Sequence, residues 1–205
     1  MLQNIPSMNK LLFVLGFFMT GFWASAQTFS DQALQQSVQQ INGAKTDGDY
    51  DTLFNIFSEA KTSEKWKADY YAAVAMYLKA HHLLKYNPEK SAAEPNETAR
   101  KFATQALASE KNNGEINTLL GLIYAQKIRT ATSANYQKDL KTATDYMTKA
   151  NAQLKNNPRL TCLKYEVAQL SNNKTEALEF YSKAVNEFNT TSSTSPDWGK
   201  QLINP

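Results

Sequence analysis

One cysteine, two histidines, seven glycines and six prolines are all that 205 residues contain of the types that mark disulfide scaffolds, metal centres, phosphate loops and turn-rich folds. The lone Cys162 excludes an internal disulfide, so stability must come from a packed core. His81 and His82 are adjacent, and adjacent positions on a helix point about 100° apart, so they cannot chelate one ion as an i, i+4 pair could. No second cysteine or further histidine completes a zinc site, and the pair reads as ordinary histidines near a helix end. The few glycines form no dinucleotide turn, no P-loop and no G-x-S-x-G elbow. Acidic residues are scattered singly, and Cys162 has no base in view that would make it a nucleophile. No catalytic residue, cofactor site or metal site is therefore expected, and the chain is not expected to be an enzyme. A net charge of +3 is too small to point to nucleic acid or to an anionic membrane.

Lys10 is the only charge in the first 30 residues, and it precedes the apolar run Leu11–Met19, which continues through Trp23 to Ala24-Ser25-Ala26. Positive, apolar and small-residue segments in that order form a secretory signal, with cleavage expected between Ala26 and Gln27 and Ala24 at the −3 position. The run is short for a transmembrane span of about 20 residues. Met8 is an alternative start. No cysteine lies near the cleavage site, so no acyl anchor is expected. The chain divides into a signal peptide at 1–26, a helical domain at 27–188 and a polar tail at 189–205.

Ala, Leu, Lys, Gln and Glu dominate the remainder, and no stretch alternates apolar and polar residues as a strand would. Asn, Gly and Pro clusters punctuate the chain at Asn42-Gly43, Asp47-Gly48, Asn87-Pro88, Asn112-Asn113-Gly114, Asn156-Asn157-Pro158 and Asn172-Asn173. They delimit eight helices, near 30–43, 49–61, 64–86, 94–110, 113–130, 134–155, 158–171 and 174–187. The short joints make consecutive helices antiparallel hairpins, an all-α architecture. The tail opens with the low-complexity stretch 189–196. Beyond it, Trp198 and Leu202 either fold back as a cap on the open end of the array or belong to a loose tail.

A repeat is visible in this pattern. Ala177, Tyr181 and Ala184 follow Ala-x3-aromatic-x2-Ala; Ala143, Met147 and Ala150 repeat it 34 residues earlier, and Ala99, Ala103 and Ala106 give a weaker copy. Alanines seven apart share one helix face and let a neighbour approach closely. Leu120-Gly121 with Tyr124, Trp66 and Pro158 complete a pattern that resembles the tetratricopeptide repeat family. The match spans roughly 49–187, with insertions near 87–96 and 128–137 and with Lys164-Tyr165 in place of a Leu-Gly pair. Ala73, Tyr77 and Ala80 also fit the second-helix signature, which leaves the parity of 64–86 open.

The resemblance implies a right-handed solenoid with a concave groove that takes a peptide or a partner's helix. By family position the groove residues would include Lys67, Tyr71, Val74, Thr118, Leu122, Ala125 and Gln126. The expected function is a non-enzymatic interaction module for an unidentified protein or peptide. A small-ligand or glycan-binding uptake component and a structural subunit of an envelope complex are the alternatives. The signal ending Ala-Ser-Ala-Gln resembles those of Bacteroidota, which would imply a periplasmic location, and Asp51-Thr52-Leu53 resembles that phylum's O-glycosylation triplet. N-x-[ST] triplets stand at Asn96, Asn173 and Asn189. Asp47-Gly48-Asp49-Tyr50-Asp51 begins like a calcium loop but lacks the glycine and the bidentate glutamate, so Asp49 is expected to be a helix N-cap instead.

Overall fold

The computed structural model describes residues 28–190 and 196–203. The expected signal peptide, with Ala24, Ala26 and Gln27, lies outside the described residues, as does most of the low-complexity stretch at 191–195. Among the described residues there are eight α-helices and no strand: α1 Gln32–Gln40, α2 Asp47–Ser58, α3 Lys65–Tyr86, α4 Ala93–Ser109, α5 Gly114–Arg129, α6 Tyr136–Gln153, α7 Pro158–Leu170 and α8 Lys174–Thr190. Two 3-10 turns, Ile41–Gly43 and Lys200–Leu202, complete the set.

Several helix starts are made by the break residues themselves. Asn113, Asn135 and Asn157 each accept a backbone N–H of the following first turn, and Pro158 takes the first helical position of α7, where its missing N–H costs nothing. The start of α2 corrects the sequence expectation. Thr46, not Asp49, is the N-cap; Asp49 sits at the third helical position and reaches back to the Thr46 N–H, closing a capping box. An Asp three residues into a helix can complete a cap as well as an Asp at its edge can begin one. At the other end α8 runs three residues past the expected stop, through Asn189 and Thr190, and Thr190 hydroxyl donates to the Asn186 carbonyl. Asn156 and Asn172 turn the chain at positive φ, which Asn tolerates; Ala131 does the same in the 128–137 insertion without that excuse.

Helices pair as α3 with α4, α5 with α6 and α7 with α8, and α5 packs directly on α7. α3 also packs closely along α2, so it pairs with both of its neighbours in sequence, and Trp66 lies near its start, partly buried against the core. All the small residues of the repeat pattern are buried: Ala99, Ala103, Ala106, Ala143, Ala150, Ala177 and Ala184. Gly121 shows why size matters. A Cβ there would lie 2.4 Å from Leu163 Cδ2 and 3.3 Å from the Ala143 carbonyl, so α6 and α7 both approach α5 at this point. Tyr124 stacks on Tyr146 of α6, and Tyr181 packs on Tyr165 across the last hairpin.

The helix α3 is buried almost all round from Ala68 to Leu78, which explains its weak apolar periodicity. It lies between α2, α4, the segment before α1 and the C-terminal segment. No helix among the described residues is long and apolar enough to cross a membrane.

Candidate functional site

Of the residues that the repeat resemblance would assign to a groove, Lys67, Tyr71 and Val74 lie on α3 and Thr118, Leu122, Ala125 and Gln126 on α5, and the segment before α1 covers the first two. Lys67 donates from Nζ to the Thr28 carbonyl at 2.6 Å and pairs with Glu64, which also accepts the Ser30 N–H and hydroxyl. These donors, the Lys67 ammonium foremost, hold the Glu64 carboxyl down at about 2. Phe29 then lies against Tyr71, their rings 5.6 Å apart, with Phe57 beyond. Tyr71, Val74, Thr118, Leu122, Ala125 and Gln126 are all buried. An open groove with these side chains facing solvent is therefore not what the chain forms. Gln126 bridges helices instead, donating to the Tyr77 carbonyl at 3.1 Å and accepting from Asn96 at 2.9 Å.

The C-terminal segment packs on α3 and α7. Trp198 is only 1% exposed; its indole N–H donates to the Tyr70 hydroxyl at 2.8 Å, and its ring meets Tyr77 edge-on at 6.2 Å. Arg159 holds the segment by its backbone, donating from Nη1 to the Pro196 carbonyl at 2.9 Å and to that of Trp198 at 3.3 Å. Its guanidinium also lies over the indole, 5.6 Å from the ring centre. The other edge of that guanidinium is bidentate to Glu115 of α5, at 2.7 and 2.9 Å, with Asn157 donating to the same carboxylate. Asn42 donates to the Asp197 carbonyl, Gln201 donates to the Ile41 carbonyl, and Tyr181 donates to the Ile203 carbonyl. The segment thus ties the 3-10 turn after α1 to α7 and α8. Trp198 does fold back, against Tyr70 and Tyr77 of α3 and Arg159 of α7. Gly199 has φ 106°, and a Cβ there would meet Arg159 and Phe188 at 3.1 Å, so the turn after the tryptophan needs glycine.

Sequence reasoning named the tryptophan but not its receptor. Tyr70, Glu115 and Arg159 carry no motif spacing and are marked only by the burial of their polar groups, while Asn157 is half-buried and belongs to the Asn156-Asn157-Pro158 break. Burial pushes the Tyr70 hydroxyl well up, so it stays a neutral hydrogen-bonding group.

The remaining candidates sort plainly. Cys162 is buried, and burial pushes its thiol up to about 12, far from a reactive thiolate. Asp47, Asp49 and Asp51 point to different partners: Asp47 to Lys90 and His82, Asp49 to the Lys45 and Thr46 N–H groups, Asp51 to Lys79. Among the described residues no group of three or more His, Cys, Asp or Glu side chains is placed to hold a metal. Thr52 is exposed, while Asn96 is buried and donates to the Ile123 carbonyl, so the folded chain hides that acceptor from modification. His81 and His82 lie in the last turns of α3. Both are half-buried, and burial, with Lys85, Arg129 and His82 nearby, brings His81 down to about 4, so it is neutral at pH 7. No protein-family model, curated protein or solved structure matches the chain.

Proposed function

We propose that this chain is an exported, non-enzymatic interaction module of the cell envelope, built of tetratricopeptide-like hairpins stacked as a right-handed solenoid. In this reading it binds an extended protein segment on the concave side lined by α3, α5 and α7. The signal-like N-terminus supports export. The buried small residues, the close approach at Gly121 and the pairing of α3 to α8 into three hairpins support the repeat reading.

One observation carries the binding mode. Arg159 takes hold of residues 196–198 through two backbone carbonyls while Trp198 enters an aromatic recess. Main-chain capture with a single anchoring side chain is how grooves hold extended segments, and the chain's own tail occupies the receptor as a partner's segment would.

The test uses the full mature chain carrying Trp198→Ala, which leaves the recess unfilled, and a fluorescent peptide of residues 196–203. The reading expects the peptide to bind the variant and to be outcompeted by an unlabelled copy. A peptide with Ala in place of the tryptophan should bind at least tenfold more weakly. If a variant that retains its helical circular dichroism takes up no peptide, the face is a core and not a receptor. N-terminal sequencing of the exported protein should begin at Gln27.

A further inference from the structure

The contacts that hold the C-terminal segment divide into those any sequence can make and those that depend on two residues. Arg159 takes the carbonyls of Pro196 and Trp198, and Tyr181 takes that of Ile203. A chain of any sequence offers such carbonyls, so they give hold without selection. Selection falls on Trp198 and Gly199. Tyr77 meets the indole edge-on, the Arg159 guanidinium lies over it, and the Tyr70 hydroxyl accepts its N–H at 2.8 Å. A phenyl ring in the same place would bring no donor to that hydroxyl. Gly199 then turns the chain at φ 106°, and a Cβ on it would stand 3.1 Å from both the Arg159 side chain and the Phe188 ring. Any other residue would meet backbone strain and crowding together.

The same segment is well placed to compete with a partner. α8 ends at Thr190 and the segment begins at Pro196, so five residues tether it beside its own seat. A segment held by so short a connection is present at its seat at an effective concentration on the order of mM. Its fit is nevertheless incomplete. Gln201 Oε1 of the segment and Oδ1 of Asn42, which grips Asp197, are buried and receive no hydrogen bond. Each such unpaired acceptor weakens the hold of the segment on the fold.

We infer that the partner's segment carries the dipeptide Trp-Gly, and that residues 196–203 are a tethered competitor that this segment displaces. The inference rests on the reading of the seat as a receptor and adds to it the partner's chemistry and its regulation. A segment with another aromatic residue loses the bond to Tyr70, and one with a side chain after the tryptophan loses the turn, so each is discriminated against by a different contact. Because the seat is free only while the tail is out, affinity seen from outside is lowered by the fraction of time the tail is bound.

The competitor is tested with a fluorescent peptide of residues 196–203 titrated into the mature wild-type chain, Trp198→Phe and Trp198→Ala, each first checked for helical circular dichroism. Affinity should rise in that order, the wild type binding about thirtyfold or more weakly than Trp198→Ala. Selection is tested on Trp198→Ala with altered peptides. Benzothienylalanine in place of the tryptophan keeps the shape of the indole but has no N–H, and should bind about tenfold more weakly. A peptide with Gly199→Ala should lose at least tenfold, whereas Lys200→Ala, at an exposed position, should bind like the parent. If the parent peptide binds and the first two altered peptides match it, the Trp-Gly assignment is overturned while the receptor reading stands. Equal affinity for all three chains would overturn the competitor. Should Trp198→Ala not fold, the altered peptides are compared on Trp198→Phe, which must still bind the parent more tightly than the wild type does. No uptake of any peptide by folded variants removes the receptor reading and this inference with it.

Discussion

A guanidinium removed from water survives in a core only if every edge of it is used, and Arg159 meets that condition with one carboxylate, two carbonyls and an indole face. Removing the arginine alone strands the Glu115 charge beneath the C-terminal segment. Arg159→Met should therefore cost about 3–5 kcal/mol in urea unfolding, and Glu115→Leu added to it should restore a large part of the loss. Should the two single losses simply add, the pair is not a coupled unit. His81 makes a separate prediction. Its folded pKa is depressed to about 4, chiefly by burial, whereas an unfolded imidazole titrates near 6.5. The unfolded chain thus binds the extra proton between those values, so stability is fully present above about pH 6.5 and falls as pH drops towards 4. With the ring still in partial contact with water, the loss should be about 1–2 kcal/mol. Urea midpoints measured from pH 7 to pH 4 should show that slope, and His81→Gln should flatten it.

Helices in this chain are decided by where small residues sit and how their ends are capped, and two glycines separate those effects. At Gly121 a methyl group would strike Leu163 and crowd the Ala143 carbonyl. The gain of about 1 kcal/mol in helix propensity is smaller than the roughly 1–3 kcal/mol cost of overpacking, so Gly121→Ala should lower the melting temperature. At Gly48, in the first turn of α2, the nearest atom is the Thr46 hydroxyl at 3.9 Å, and Gly48→Ala should raise stability by about 0.5 kcal/mol. The same contrast explains what the sequence made legible. All eight helices could be read from the Asn, Gly and Pro breaks and the helix-forming composition between them, because both act within a few residues of chain. The face that the chain covers could not. Lys67 and Tyr71 are covered by Thr28 and Phe29, some forty residues away, and Tyr70 is met by Trp198, which is farther still. Apolar periodicity reports that α3 is buried on many sides but not which segment buries it.

For the molecule as a whole, the C-terminal segment is what makes the first and last helices depend on one another. Without residues 196–203, the hydrogen bonds that join the turn after α1 to the far end of the chain, Asn42 to Asp197 and Gln201 to Ile41, are lost together. The hairpins would otherwise touch only their neighbours, so stability would be a sum of local terms that fray from the ends. Trp198→Ala removes the largest side chain of that clasp and should cost about 3–5 kcal/mol. Trp198→Phe keeps most of the apolar surface but leaves the Tyr70 hydroxyl without its donor, and should cost about 1–2 kcal/mol. The loss from the alanine variant should not be uniform along the chain. Amide exchange should accelerate in α1 and in the turn Ile41–Gly43 as much as in α8, although α1 lies more than 150 residues from the substitution. Protection in the α5–α6 hairpin, whose packing is local, should change least. Faster exchange confined to α7 and α8 would mean that the segment merely covers the end of the array, and that the two ends of the fold are energetically separate.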